Sequence, residues 1–373
     1  MVILDPALND RPDLDDVSTY ERLDPSGMAA AIESFPEQCS QAVRTAREAP
    51  ALPGMDDITE IVVLGMGGSA IGGDLLKELL ENALRMPVTV HRGYCPRGYY
   101  SSRTLVFAVS YSGNTEETLT ALDQLIYLGC RIVAVTSGGV LLQEAQGYGW
   151  PLIQVPQGLQ PRAALPWLSL PMAVMLEGSG ALQGFARTLE DAIRTLKGRK
   201  EKWGRLQPAK SNFAKQLALR LHGKIPVIYG MEGPLSVAAY RWKCQINENS
   251  KQPAFWHVLP EMNHNEIVGW EALGELSRRM EVVFLLDEEE NPRLVHRMNI
   301  TSELIRDEVG GVSFIHVSGA SRTEKLLSAI LLGDFVSLYL ALLNGRDPTP
   351  VERIARLKQR MSEVGQGSEC PPD

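Results

Sequence analysis

From residue 59 onward, short runs of apolar and β-branched residues alternate with longer stretches in which apolar positions recur every three or four residues. This alternation predicts parallel strands joined by crossover helices, and hence an α/β fold. Strands are expected at 60–65, 87–92, 104–110, 131–137 and 151–156, with helices near 71–82, 115–128, 140–147 and 167–177. A more polar helical stretch, 181–222, carries GRKEKWGRLQPAKSN and reads as a solvated connector. The pattern then restarts, with strands at 224–230, 281–288 and 311–319 and helices at 234–247, 292–309 and 322–343.

The restart resembles the beginning. EIVVLGMGGSAIGGDLLKELL and PVIYGMEGPLSVAAYRWKCQI share a strand, a Gly-Met-x-Gly turn and a helix in the same order, which suggests a duplicated fold. The expected organisation is a first domain at 20–180, the connector at 181–222, a second domain at 223–345, and a C-terminal helix and tail at 346–373. The tail GQGSECPPD has the composition of a disordered end. One run, 326–343, is apolar enough to suggest a membrane span, but Gly333 and Asp334 interrupt it near its middle. A charge there is costly in lipid, so a buried core helix is expected instead.

Composition narrows the partners. With 373 residues, 44% hydrophobic and 22% charged, the chain has enough apolar material for two or three domains. A formal charge of −8 argues against a generic nucleic-acid binder, so an anionic ligand needs a local site. The five cysteines show no zinc-site spacing and read as idle thiols in a reducing compartment. The opening MVILDPALNDRPDLDD is too acidic for a signal peptide, which makes the cytoplasm the expected location.

Two turns carry candidate chemistry. The first strand runs into Gly65-Met66-Gly67-Gly68-Ser69-Ala70, which matches the G-x-G-x-x-A of a dinucleotide-binding turn and is also compatible with a plain tight turn. A nicotinamide enzyme should carry a ribose-binding carboxylate after its second strand. Here that strand ends in His91 and Arg92, so NAD is disfavoured and NADP barely open. The strand at 104–110 feeds VSYSGNTEET, which places Ser110, Ser112 and Thr115 around Gly113 at a helix N-terminus. Unpaired backbone N–H groups and the positive end of the helix dipole can hold a phosphate there without any lysine. The plainer alternative is a single helix cap, for which one hydroxyl suffices. Both turns should converge at one sheet edge, with Gly67, Gly68 and Ser69 facing Ser110, Ser112 and Thr115. That arrangement favours a phosphorylated small molecule.

GMGGSA and SYSGNTEET together resemble a sugar isomerase (SIS) domain, and NENSK at 247–251 with PEMNHNEIVGW at 260–270 is similar to the bifunctional phosphoglucose/phosphomannose isomerases. The first pair identifies only the SIS fold; the second is far more specific. The resemblance runs from about residue 20 to the helix near 360. It implies two tandem SIS subdomains of flavodoxin-like, three-layer architecture and an isomerase that needs neither cofactor nor metal. Such an enzyme interconverts glucose 6-phosphate or mannose 6-phosphate with fructose 6-phosphate through a cis-enediol. It also implies a homodimer.

Residue chemistry is compatible with these roles. A carboxylate can move a proton between C2 and C1, and the resemblance matches Glu248 to the catalytic base, although a glutamate at a helix end is ordinarily solvated. Imidazole exchanges protons near neutral pH. The family pattern assigns His264 to ring opening, supplied to the neighbouring subunit's site. Arg162 matches an arginine near the reacting carbons, where positive charge would steady an enediolate. Lys358, on the C-terminal helix, resembles a lysine that assists ring opening. The rival reading is a SIS-type sensor that binds a sugar phosphate without turnover, but neither terminus shows a basic helix-turn-helix pattern. An aminosugar-forming SIS enzyme would need an ammonia-generating domain, and no N-terminal catalytic cysteine is present.

Overall fold

The computed structural model describes residues 11–272 and 274–363. Contacts divide these into two compact units: the segment up to Ser34 groups with Ala192–Pro350, and Phe35–Asp191 groups with the segment from Val351. Two short helices, α1 (Val17–Leu23) and α2 (Met28–Glu33), precede the first unit to carry a sheet.

That unit begins with α3 (Phe35–Glu48) and then alternates β1 (Glu60–Leu64), α4 (Gly67–Leu80), β2 (Val88–His91), β3 (Thr104–Ser110), α5 (Glu116–Tyr127), β4 (Arg131–Thr136), α6 (Gly139–Tyr148), β5 (Leu152–Gln154) and α7 (Leu165–Gly178). Its strands are all parallel and lie in the order β2-β1-β3-β4-β5. Helices cover both faces of such a sheet, which is why the central strand TLVFAVS is buried at every position rather than alternating. Leu64 pairs with Ala108, so the carboxyl ends of β1 and β3 lie side by side where the strand order reverses. Ligands bind at that crevice in open α/β sheets.

The other unit contains the rest of α8 (Phe185–Trp203), then α9 (Phe213–Leu221), β6 (Ile225–Met231), α10 (Pro234–Asn249), β7 (Phe255–Leu259), β8 (Met280–Leu286), α11 (Pro292–Ile305), β9 (Gly311–His316) and α12 (Arg322–Leu343). Its parallel sheet runs β7-β6-β8-β9, the order of the first four strands of the other sheet. The repeated order agrees with a duplicated fold. Helix α13 (Glu352–Glu363) ends the described chain.

Three local expectations change. Helix α4 starts at Gly67, not near 71, because two glycines of poor helix propensity form its first turn. Strand β7 was not expected: it is a five-residue strand at the sheet edge, and its first residue, Phe255, is exposed. The 181–222 stretch is not solvated throughout, since α9 buries Ala214, Leu217, Ala218, Leu221 and even Lys215. The Lys215 ammonium donates to Leu14 O at 2.7 Å, Asp15 Oδ1 at 2.9 Å and Arg205 O at 2.9 Å, tying the N-terminal segment to α9. Lys215→Met strands these acceptors and is expected to cost about 3 kcal/mol, measurable by chemical denaturation.

Among the described residues, α12 alone is long and apolar enough to cross a membrane, and its apolar window is wholly buried. It is a core helix, as expected from its central Gly333 and Asp334. Cys39, Cys130 and Cys244 are free thiols. Cys95 is disulfide-bonded, which corrects the expectation of idle thiols for that residue. Residues 1–10, Cys370 and the tail GQGSECPPD lie outside the described residues.

Candidate active site

The two turns predicted to converge do so within one unit. A Cβ built on Gly65 would lie 2.9 Å from Val109 O, so the GMGGSA turn runs against the end of β3. Helix α4 has Met66 at its N-cap and α5 has Thr115, and neither cap residue offers a side-chain bond to its helix. The single-cap alternative therefore does not describe these hydroxyls. Instead Ser110 Oγ and Thr115 Oγ1 share a hydrogen bond of 2.9 Å, and Ser110 Oγ accepts from Gly113 N at 3.1 Å. Ser112 Oγ accepts from Asn114 N at 3.2 Å while its residue stays exposed. Ser69 and Ser110 are buried, and Thr115 is half-buried.

This loop is braced by its neighbours. Gly113 has φ +68°, and a Cβ there would meet Gly138 O at 1.8 Å. Leu141 N donates to Gly113 O at 3.0 Å, Val140 N to Asn114 Oδ1 at 3.0 Å, and Ser137 Oγ to Tyr111 O at 2.6 Å. The Tyr111 hydroxyl donates to Pro156 O at 2.9 Å and accepts from Leu159 N at 2.8 Å. Asn114, Tyr111 and Ser137 thus hold the loops after β3, β4 and β5 as one rim. The Ser-Gly-Gly after β4 was the available sequence signal for it. Glu116 and Glu117 occupy the first turn of α5, so an anion held here would be recognised by close N–H and O–H donors rather than by net charge.

Arg162 joins the same rim from far along the chain. It sits in the 3-10 turn Pro161–Ala163, is 3% exposed, and its Cα lies 3.5 Å from where a Cβ on Gly68 would be. A side chain at Gly68 would press on Pro161, whose carbonyl oxygen would lie 3.2 Å from the added Cβ. Arg92, by contrast, is ion-paired with Asp74, and burial lowers the His91 pKa below its ordinary value. Arg92, the cation at the end of β2, is thus already engaged by a carboxylate.

The remaining candidates belong to the other unit, apart from Lys358. Glu248 is half-buried in the last turn of α10 rather than just past it. After the helix, Lys251 takes a left-handed φ of 55° and its ammonium donates to Glu248 O at 2.5 Å and Pro348 O at 3.0 Å. Asn247 Oδ1 accepts from Ala254 N at 3.1 Å, leading the chain into β7. His264 is exposed in the 3-10 turn Glu261–His264 that follows β7. Its loop is anchored by the Tyr229 hydroxyl, which donates to Glu266 Oε1 at 2.6 Å and accepts from Trp270 Nε1 at 3.1 Å, and by Asn263 Nδ2 donating to Thr301 Oγ1 at 2.8 Å. Lys358 lies on α13, which buries none of its residues.

The strand ends of the second sheet carry a different set of side chains, with Arg322 and Lys325 among carboxylates. At the corresponding strand ends, Lys325 is held by Asp287 at 2.8 Å and Glu289 at 2.6 Å, in a niche also lined by Glu232 and Glu290.

The SIS domain family matches residues 55–146, and the bacterial phospho-glucose isomerase C-terminal SIS domain matches residues 210–361. A hypothetical protein of Thermus thermophilus shares the fold with a TM-score of 0.69 at 16% identity, covering 91% of each chain. A D-glucosamine-6-phosphate 4-epimerase of Sulfolobus acidocaldarius is 37% identical over 58% of this chain and 65% of its own length. The bifunctional phosphoglucose/phosphomannose isomerase of Aquifex aeolicus is 35% identical over 81% of this chain and 90% of its own. That of Caldicellulosiruptor bescii is 42% identical over 90% of this chain and 99% of its own length. Likeness at that level over most of both chains makes this chain a member of the bifunctional phosphoglucose/phosphomannose isomerase family.

Proposed function

We propose that the protein is an aldose–ketose isomerase that interconverts glucose 6-phosphate and mannose 6-phosphate with fructose 6-phosphate through a cis-enediol. The observation that carries this reading is the cradle: two uncapped helix N-termini, α4 and α5, meet at one strand-order reversal beside exposed Ser112 and half-buried Thr115. A phosphate monoester suits that geometry. Gly67, Gly68 and Ser69 line it from the first turn, and Ser110 supports Gly113 and Thr115 from behind.

The two aldoses differ only at C2 and lose that difference in the common enediol. Glu248 is the base that moves the proton between C2 and C1, and rotation about C2–C3 lets it serve both sugars. Arg162 steadies the enediolate. His264, with Lys358, opens the ring, and its exposure on its own protomer suits service in the partner's site of a homodimer. Ring opening breaks and re-forms one C–O bond and the later steps move protons, with no net oxidation or reduction, so the chemistry calls for no redox cofactor. We place the enzyme in the cytoplasm, with sugar phosphates rather than nucleic acid or membrane as its partners.

The test is turnover of the three sugar phosphates in deuterated water without added metal. Label at C2 of the aldose products is expected. Binding without label would favour a sensor, and a C4 epimer as product would favour the activity named for the Sulfolobus relative. Ser112→Ala and Thr115→Ala are each expected to raise KM for the phosphorylated sugars roughly three- to tenfold, the worth of one hydrogen bond, with kcat little changed. An unaltered KM in both variants would move the phosphate elsewhere.

A further inference from the structure

Helix α10 meets α12 through a polar seam inside an otherwise apolar contact. Arg241, Gln245 and Asn249 recur every four residues along one stripe of α10, and all three are buried. Arg241 Nη2 donates to Asp334 Oδ2 at 2.8 Å and Gln245 Nε2 to Asp334 Oδ1 at 2.9 Å. One turn further, Asn249 Nδ2 donates to Ser337 Oγ at 3.0 Å, Ser337 Oγ donates to Asp334 O at 2.8 Å, and Ser250 Oγ donates to Ser337 O at 2.7 Å. Glu248 stands between the last two α10 members of this stripe.

Stability alone does not account for such a seam. A fully buried ion pair forfeits hydration that its mutual attraction does not reliably restore, and well-packed apolar replacements are often neutral or better. Around it α12 presents mainly Leu, Ile, Ala and Val, whose contacts lack directional preference, and a further directional contact is the bond from Trp242 Nε1 to Ala329 O at 2.8 Å. An apolar helix pair can settle in neighbouring registers, and one residue of slip moves a helix by about 1.5 Å and turns a side chain by about 100°. Directional hydrogen bonds along the whole stripe admit one register only.

The geometry points to the Arg241–Asp334–Gln245 and Asn249–Ser337 contacts as a register lock that positions Glu248 for proton transfer. This rests on the reading of Glu248 as the base. The lock residues are positioning residues, since none needs to touch substrate.

The test is the combined variant Arg241→Met, Gln245→Met, Asn249→Leu, Asp334→Leu and Ser337→Ala, which removes every polar side chain of the lock while roughly keeping volume. It is expected to melt no lower than the parent, to keep its KM for fructose 6-phosphate, and to lose tenfold or more in kcat, since a misplacement of about 1 Å can cost on the order of 10²-fold. Should that variant fail to fold, Ser337→Ala is expected to lower kcat with KM unchanged, and Ser337→Thr, which keeps the hydroxyl, to restore it. A folded combined variant with kcat within twofold of the parent overturns the lock, as does equal activity of Ser337→Ala and Ser337→Thr. Glu248→Gln is assayed alongside. If it stays active, the assignment of the base has failed; if it is inactive while the seam variants are fully active, only the lock has failed.

Discussion

Glu248→Gln is expected to abolish isomerisation of glucose 6-phosphate and mannose 6-phosphate together while leaving fructose 6-phosphate bound. The amide keeps the size of the carboxylate and its place in the last turn of α10, but it cannot accept a proton as a carboxylate does. General base catalysis contributes about 10²- to 10⁴-fold, and kcat should fall by that amount for both aldoses. Binding measured by calorimetry should change little, because the residues proposed to hold the phosphate belong to the Phe35–Asp191 unit. A variant that keeps more than about a tenth of its activity would remove Glu248 from the proton-transfer step. Loss with one aldose and not the other would show that two bases are at work.

Gly113→Ala should be the most damaging single-methyl change in the cradle. Its φ of +68° is left-handed, and the added Cβ would lie 1.8 Å from Gly138 O and 2.9 Å from Thr136 Oγ1. The first contact is with backbone, so no side-chain rotation relieves it. The loops after β3 and β4 must part, losing the bond from Leu141 N to Gly113 O. Left-handed strain of about 1–2 kcal/mol adds to overpacking of about 1–3 kcal/mol. The melting temperature should fall and KM should rise at least tenfold. Gly129→Ala is the matched control. Its φ is +73°, but the nearest atom to the new Cβ is Ser102 Cβ at 3.9 Å. It should therefore show the backbone strain alone, about 1–2 kcal/mol, with KM unchanged. Equal melting of the two variants would mean that the close approach of the two loops is not rigid.

The place of this turn in the fold was legible in the sequence for a simple reason. Ser110, Ser112, Gly113 and Thr115 lie within six residues between a strand and a helix, so strand end, turn and helix start could all be read from one short window. Glu248 and His264 had no comparable local signature. One lies in a polar helix end and the other in an exposed turn, both ordinary settings for such residues, and only the resemblance of NENSK and PEMNHNEIVGW singled them out.

By itself, then, the sequence determined the alternation of parallel strands and helices, the repetition of that pattern, the hydroxyl-rich helix start, and the core character of α12, whose buried residues run from Thr323 to Leu343. Each depends on periodicity or on turn chemistry within a few residues, which a chain carries wherever it folds. Tertiary structure decided what depends on partners distant in the chain. It brought Arg162 against Gly68, buried the charge of Lys215 against carbonyls of Leu14 and Arg205, and made an edge strand of Phe255–Leu259 by pairing it with β6. It also joined Arg241, Gln245 and Asn249 to Asp334 and Ser337. A polar residue reads as surface until its partner is known, and those partners lie 88 to 93 residues away.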